Sequence, residues 1–190
     1  YGRGPIENYQ DRKNAAFIGR YKTTVTEMAE HYLRAQTMGG RCDTNWMTLS
    51  DIHGKGIKIT SIDKTFDFSA LHYTDKDLWE TKYSHSLSDI YRPEIVINID
   101  CIQRGLGNAS CGPGPRPQYE IKPNMVYEYS FWMAPLEYSH IEIYFQFSCK
   151  FERLNSKTES SLSLFNLPRK QNHIYSSRTL ISTTVGSTKD

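Results

Sequence analysis

The segment 141–150 alternates without a break. Ile141, Ile143, Phe145, Phe147 and Cys149 share one side of an extended chain, and Glu142, Tyr144, Gln146, Ser148 and Lys150 share the other. A period of two sorts these residues into an apolar and a polar set, so the run reads as a half-buried β-strand. Shorter runs repeat the pattern: Ile57, Ile59 and Ser61 against Lys58, Thr60 and Ile62, then Phe66, Phe68 and Ala70 against Asp67 and Ser69. EIVINID (94–100) is a continuous apolar strand with Ile95, Ile97 and Ile99 on one face. YKTTVTEM (21–28), CDTNWMTL (42–49) and MVYEYSFWM (125–133) read as further strands, rich in β-branched and aromatic residues.

Turn-forming residues punctuate these runs. Residues 1–20 read as a loop followed by a short strand or turn, Gly39-Gly40 as a loop, and RGLGNASCGPGPRPQ (104–118) as a Gly/Pro loop without regular structure. Thr74 followed by Asp77 forms a capping box with Asp in the Glu position, which opens one short helix through about Tyr83. Residues 155–163 and 176–190 are Ser/Thr-rich; they hold a weak strand over 179–185 or are disordered. Many short strands and one short helix predict an all-β sandwich. The expected division is a unit over 1–134 and an extension with a Ser/Thr-rich tail over 135–190.

Composition narrows the function classes. Net charge is only +2, with no basic stripe, so nothing electrostatic speaks for nucleic acid. No apolar run approaches the ~18 residues a membrane helix needs. Thirteen tyrosines suit β-structure and sugar-contacting surfaces, although any single Tyr reads as core. Cys42, Cys101, Cys111 and Cys149 form no C-x-x-C pair and no zinc spacing. They leave the compartment open between cytosol with buried thiols and periplasm with one bridge. Because Tyr1 already opens on structured-looking turn sequence, the chain is expected to be a piece of a longer protein.

The motifs that carry chemistry are few. Gly105-Leu-Gly107-Asn-Ala-Ser110 follows a strand, as a phosphate-binding turn does, but Pro113, Pro115 and Pro117 forbid the helix that chemistry requires. The segment reads instead as a loop projecting from a strand end, a common place for ligand contact. Asn108-Ala-Ser110 is also a glycosylation sequon, read here as a turn. No G-x-S-x-G elbow exists. Glu7 with Asp11, or Asp43 with Asp51, pair as carboxylates on paper, but nothing promotes either pair to a catalytic one. Glu7–Arg12 is the densest polar cluster, and its expected role is to knit a loop through charge-assisted hydrogen bonds.

YGRGPIENYQDR (1–12) resembles the G-x-G-P-x-E-N-Y-x-D-R motif of the C-terminal small-chain domain of family 2 β-galactosidases. GGRCDTNWMTL (39–49), LWETKYSHSL (78–87), NIDCIQRGLGNASCGPGP (98–115), Tyr119 and Tyr127–Phe131 follow in family order, so the likeness runs from residue 1 to about 133. It implies an antiparallel, galactose mutarotase-like super-sandwich, incomplete on its N-terminal side. The likeness also implies that the catalytic glutamates, the magnesium and the monovalent cation belong to other domains of a parent enzyme. This chain then holds no catalytic residue, metal site or cofactor of its own. Its expected contribution is structural support and a loop at the rim of the active site, with Asn108, Ser110 and Cys111 as rim residues facing β-galactoside sugars.

Two departures from the family pattern stand out. Cys111 takes the place of a Trp that stacks on sugar in the best-known members, and a thiol has no flat face for a ring. The segment Ala35–Arg41 lacks the carboxylate of the family's P-Q-E-x-G-N-R. A non-catalytic carbohydrate-binding module is the alternative reading. A mutarotase-type epimerase is disfavoured, since half its pocket would be missing. A homo-oligomer is left open, because unpaired strand edges invite association.

Overall fold

The computed structural model describes residues 1–108 and 112–136 in full, together with the backbone of strands at 145–154, 157–165 and 180–182. Two sheets carry the fold. The first is five-stranded and antiparallel, built from β4 (Trp46–Ser50), β5 (Gly56–Ser61), β8 (Val126–Pro135), β9 (Phe145–Leu154) and β10 (Lys157–Phe165), in the order β10-β9-β8-β5-β4. The second contains β3 (Arg41–Thr44), β6 (Phe66–Leu71), β7 (Val96–Asp100) and β11 (Leu180–Ser182), in the order β11-β7-β6-β3. Its β11–β7 pair is parallel, whereas every other pair is antiparallel. A small ribbon of β1 (Gly2–Gly4) and β2 (Phe17–Gly19) lies at the N-terminus. The all-β expectation holds.

The core sits between the two large sheets. Met47, Ile59, Tyr129 and Phe131 come from the first sheet and Phe66, Ala70, Ile97 and Ile99 from the second. Phe66 meets Phe131 with ring centroids 6.5 Å apart. The buried Tyr129 hydroxyl donates to the Ile99 carbonyl at 2.5 Å, so a polar tip crosses the sandwich without an unpaired group.

The one α-helix among the described residues, α1 (Asp75–Glu80), starts as expected. Thr74 Oγ1 accepts from Asp77 N at 3.1 Å, and Asp77 returns the bond to Thr74 N at 2.8 Å. Arg92 grips the Asp77 carboxylate at 2.6 and 2.8 Å and holds it well below the usual carboxylate range. The helix stops at Glu80 rather than near Tyr83, and a 3-10 segment, Ser84–Ile90, follows.

Other expectations change. Residues 21–28 form no strand: Thr24 and Glu27 cap each other, Glu27 N donating to Thr24 Oγ1 at 3.2 Å and Thr24 N to Glu27 Oε2 at 2.9 Å. Those local side-chain bonds give the backbone an alternative to a ladder, and a 3-10 turn, Thr26–Met28, results. The single strand read over 42–49 is two strands in different sheets, β3 and β4. Asp43 lies in the left-handed region at φ 51°, where β3 is irregular, and the chain passes from one sheet to the other at Asn45. The Ser/Thr-rich segment 155–163 largely forms β10, and part of the weak strand at 179–185 forms β11. The segment 141–144 lies outside the described residues.

Candidate functional site

β7 feeds directly into the Gly/Pro loop, and hydrogen bonds from distant parts of the chain pin that loop at its base. Arg104 and Glu120 join its two limbs through paired bonds of 2.7 and 2.9 Å. Gly105 N donates to Tyr119 O at 2.9 Å. Gly107 is held on both sides of its peptide: its N–H donates to Asp11 Oδ2 at 2.6 Å, and its carbonyl accepts from Arg12 Nη2 at 3.0 Å. Farther out, Asn108 N donates to Pro113 O at 3.0 Å and closes the tip. Among the described residues no α-helix follows the loop, in keeping with its prolines; a single 3-10 turn, Pro117–Tyr119, ends it.

Glycine is required at the pinned positions. Gly107 has φ +59°, and a Cβ there would lie 2.5 Å from the Gly114 and Pro115 backbone. At Gly105 a Cβ would meet Tyr119 and Asp11 at 2.8 and 3.0 Å. The two loop limbs therefore touch backbone to backbone at Gly107, and Gly105 packs closely on the Tyr119 and Asp11 side chains, approaches that glycine allows.

The polar cluster Glu7–Arg12 behaves as its composition suggests. Glu7 accepts from Tyr32 Oη at 2.5 Å and from Gly39 N at 2.6 Å. The buried Asn8 donates to Ile6 O and accepts from Cys42 N, both at 2.9 Å. One short segment thus ties the 32–42 region at one end to the Gly-rich loop at the other. Within Ala35–Arg41, the Gly39 amide donates to a carboxylate from outside the segment, that of Glu7.

The paper pairs of carboxylates do not assemble. Asp43 binds Arg3 at 2.6 Å and Lys13 at 2.9 Å. Burial would raise its pKa, but these two cations outweigh burial and lower it. Asp51 caps the β4–β5 turn, accepting from His53 N and Lys55 N at 2.8 and 2.9 Å. Of the three expected rim residues, Asn108 is exposed on the outer part of the loop. Ser110 and Cys111 lie outside the described residues, as do the side chains of Cys149 and its neighbours. Cys42 and Cys101 are free thiols, both pushed up by burial, Cys101 to about 11.

A different carboxyl pair was not anticipated. Asp67 on β6 and Asp100 on β7 are directly opposed in the ladder, and both are buried at 3% and 4% exposure. The alternation of β6 assigned Asp67 and Ser69 to a solvent face. The N-terminal segment instead covers that face, with Gln10 Nε2 donating to both Asp67 oxygens at 3.1 and 2.8 Å. Gln103 Nε2 donates to Asp100 Oδ2 at 2.7 Å. Burial raises Asp67 to about 6 and Asp100 to about 8. The sequence signal was an Asp on each of two strands that turn out to be neighbours, legible only once their pairing is known. Among the described residues, no group of three or more His, Cys, Asp or Glu is arranged to hold a metal ion. No helix among them is long and apolar enough to cross a membrane.

The loop and its clamp join two segments, 1–12 and 98–115, that together fall inside a single family match: the β-galactosidase small chain, over residues 1–133. The chain belongs to the β-galactosidase small-chain family. It is 36% identical over 131 residues to a β-galactosidase of Staphylococcus xylosus, covering 69% of this chain and 13% of that protein. It is 32% identical over 137 residues to a β-galactosidase of Priestia megaterium, covering 72% and 13%. A Streptococcus thermophilus β-galactosidase is 29% identical over 137 residues with the same coverage. The small-chain sequence thus spans about 13% of the length of the curated relatives it matches.

Proposed function

We propose that this chain is part of a β-galactosidase that cleaves terminal β-D-galactosides. In this reading the small chain supplies structural support and a rim loop rather than the reacting groups. The observation that carries it is the clamp of Asp11 and Arg12 on Gly107, which pins the base of an exposed loop from a remote segment of the same family match. A loop base so held can present Asn108 to a sugar without refolding when the sugar arrives, which keeps the ordering cost of binding low, and Ser110 and Cys111 follow it in sequence as the other expected rim residues.

Retaining glycoside hydrolysis needs two carboxyl groups about 5–5.5 Å apart that flank the scissile bond and are open to substrate. Glu7, Asp11, Asp43 and Asp51 are each committed to backbone amides or cations of this chain, and Asp67 and Asp100 are buried. The reaction, with retention of configuration, is accordingly assigned to carboxylates of the remaining domains of the parent enzyme, along with its magnesium and monovalent cation. The small chain meets those domains and the galactoside, and a homo-oligomer is compatible with this arrangement.

Incubating the purified 190-residue chain with a chromogenic β-galactoside tests the assignment. The expected result is no turnover above background. Turnover that disappears on substituting a carboxylate of this chain contradicts it.

A further inference from the structure

Among the described residues, Asp67 and Asp100 form no ion pair with a cation. They are Cα partners on adjacent strands and lie on the same face of the sheet, so their carboxyl groups are neighbours across the ladder. Gln10, the Asp43 amide (3.3 Å) and the Gln103 amide donate to Asp67, and the Gln103 side chain donates to Asp100. The other groups facing the pair are Asp43 and Cys42 from β3, Asp75 from α1 and Cys101 at the end of β7. Arg3 and Lys13, which reach this face from the N-terminal segment, are held by Asp43. Asp100 Oδ1 is buried and has no hydrogen-bond partner. Two full negative charges in this setting face each other without a counter-ion, so the pair retains a proton where ordinary carboxyls have lost theirs.

Both glutamine partners sit next to the loop clamp. Gln10 immediately precedes Asp11 and Arg12, which hold Gly107, and Gln103 immediately precedes Arg104 and Gly105, which root the loop. We propose that Asp67 and Asp100 act as a proton-dependent latch for the base of the loop at 103–108, which is held while the pair keeps one proton and loosens when that proton is lost. The sign follows from linkage. Carboxyls raised to about 6 and about 8 in the fold, against ~3.9 when released, favour the latched state at low pH. That preference is lost as pH rises toward 8 and changes no further above it. The latch does not depend on which sugar the loop meets.

Hydrogen–deuterium exchange of peptides spanning 103–108 in the full-length protein tests the latch between pH 5 and 9, after correction for intrinsic exchange. Peptides around Gly39, whose amide is held by Glu7, serve as the reference. The expected opening of 103–108 rises steeply below pH 6, where both carboxyls contribute, by up to about tenfold per pH unit between 6 and 8, levels off near pH 8 and exceeds any change at Gly39. Asp100→Asn keeps an acceptor for Gln103 and removes most of the rise above pH 6. Should that variant not fold, Asp67→Asn removes the facing charge and shifts the rise to lower pH. A pH-independent opening, an equal rise at Gly39, or a profile unmoved by either substitution overturns the latch.

Discussion

The two faces of the four-stranded sheet are built from the same residues in alternation, yet they are held together by different forces. On the inner face, Phe66, Phe68 and Ala70 of β6 lie beside Ile97 and Ile99 of β7 and pack against Phe131 and Ile59 of the other sheet. On the outer face of the same strands, Asp67 opposes Asp100 and Ser69 opposes Asn98. Asn98 Nδ2 donates to Ser69 Oγ at 3.3 Å and to Asp75 Oδ1 at 3.2 Å. The inner face is non-directional: burial of apolar surface stabilises it and small displacements cost little. The outer face is directional, so each group fixes the position of the segment that covers it. One face therefore holds the sandwich together, and the other places the N-terminal segment and, through it, the Gly-rich loop.

That contrast is open to breaking. Phe66→Ala removes a ring that is 1% exposed and leaves a cavity between the sheets. The expected loss is about 3–5 kcal/mol of unfolding free energy, measured by denaturant titration, with little directional effect on the loop. Asn98→Ala removes two hydrogen bonds on the outer face, and the expected loss is smaller, about 1–3 kcal/mol. The Asn98 Oδ1 atom has no partner, which places the value toward the lower end. If Asn98→Ala destabilises more than Phe66→Ala, the division of labour between the faces is wrong.

Much of this arrangement was legible before the fold was known. The alternation in 56–61, the apolar run of β7, the capping box at Thr74 and the irregular Gly/Pro loop each depend on local chemistry, and each appears where that chemistry puts it. The polar cluster Glu7–Arg12 was legible as a knitting segment, but not what it knits: Gly107 is 96 residues from Asp11. The buried acids were hidden for the same reason. Alternation assigns Asp67 to the side opposite Phe66 and Phe68, but only tertiary packing decides that this side is covered as well. The strand read over 21–28 failed because β-branched Thr23 and Thr24 use their hydroxyls on Glu27 and the backbone. The break in 42–49 turned on Asp43 adopting a left-handed conformation, which short polar residues tolerate better than bulky ones. The family likeness over 1–133 supplied the functional setting, which no pattern of burial or charge in this chain provides by itself.

The central claim is that Asp11 and Arg12 shape the loop 104–117 for a sugar-facing role while the reacting groups lie elsewhere. Steady-state kinetics of Asp11→Ala in the full-length enzyme tests it most directly, with a β-galactosyl disaccharide and a small aryl β-galactoside compared side by side. The substitution leaves Gly107 N–H without its acceptor at a cost of about 1–3 kcal/mol, which loosens the loop while the two sheets stay folded. The account predicts a KM for the disaccharide raised at least several-fold and a kcat on the aryl substrate nearly unchanged. Equal loss of kcat on both substrates in a folded variant, or no change with either, contradicts it.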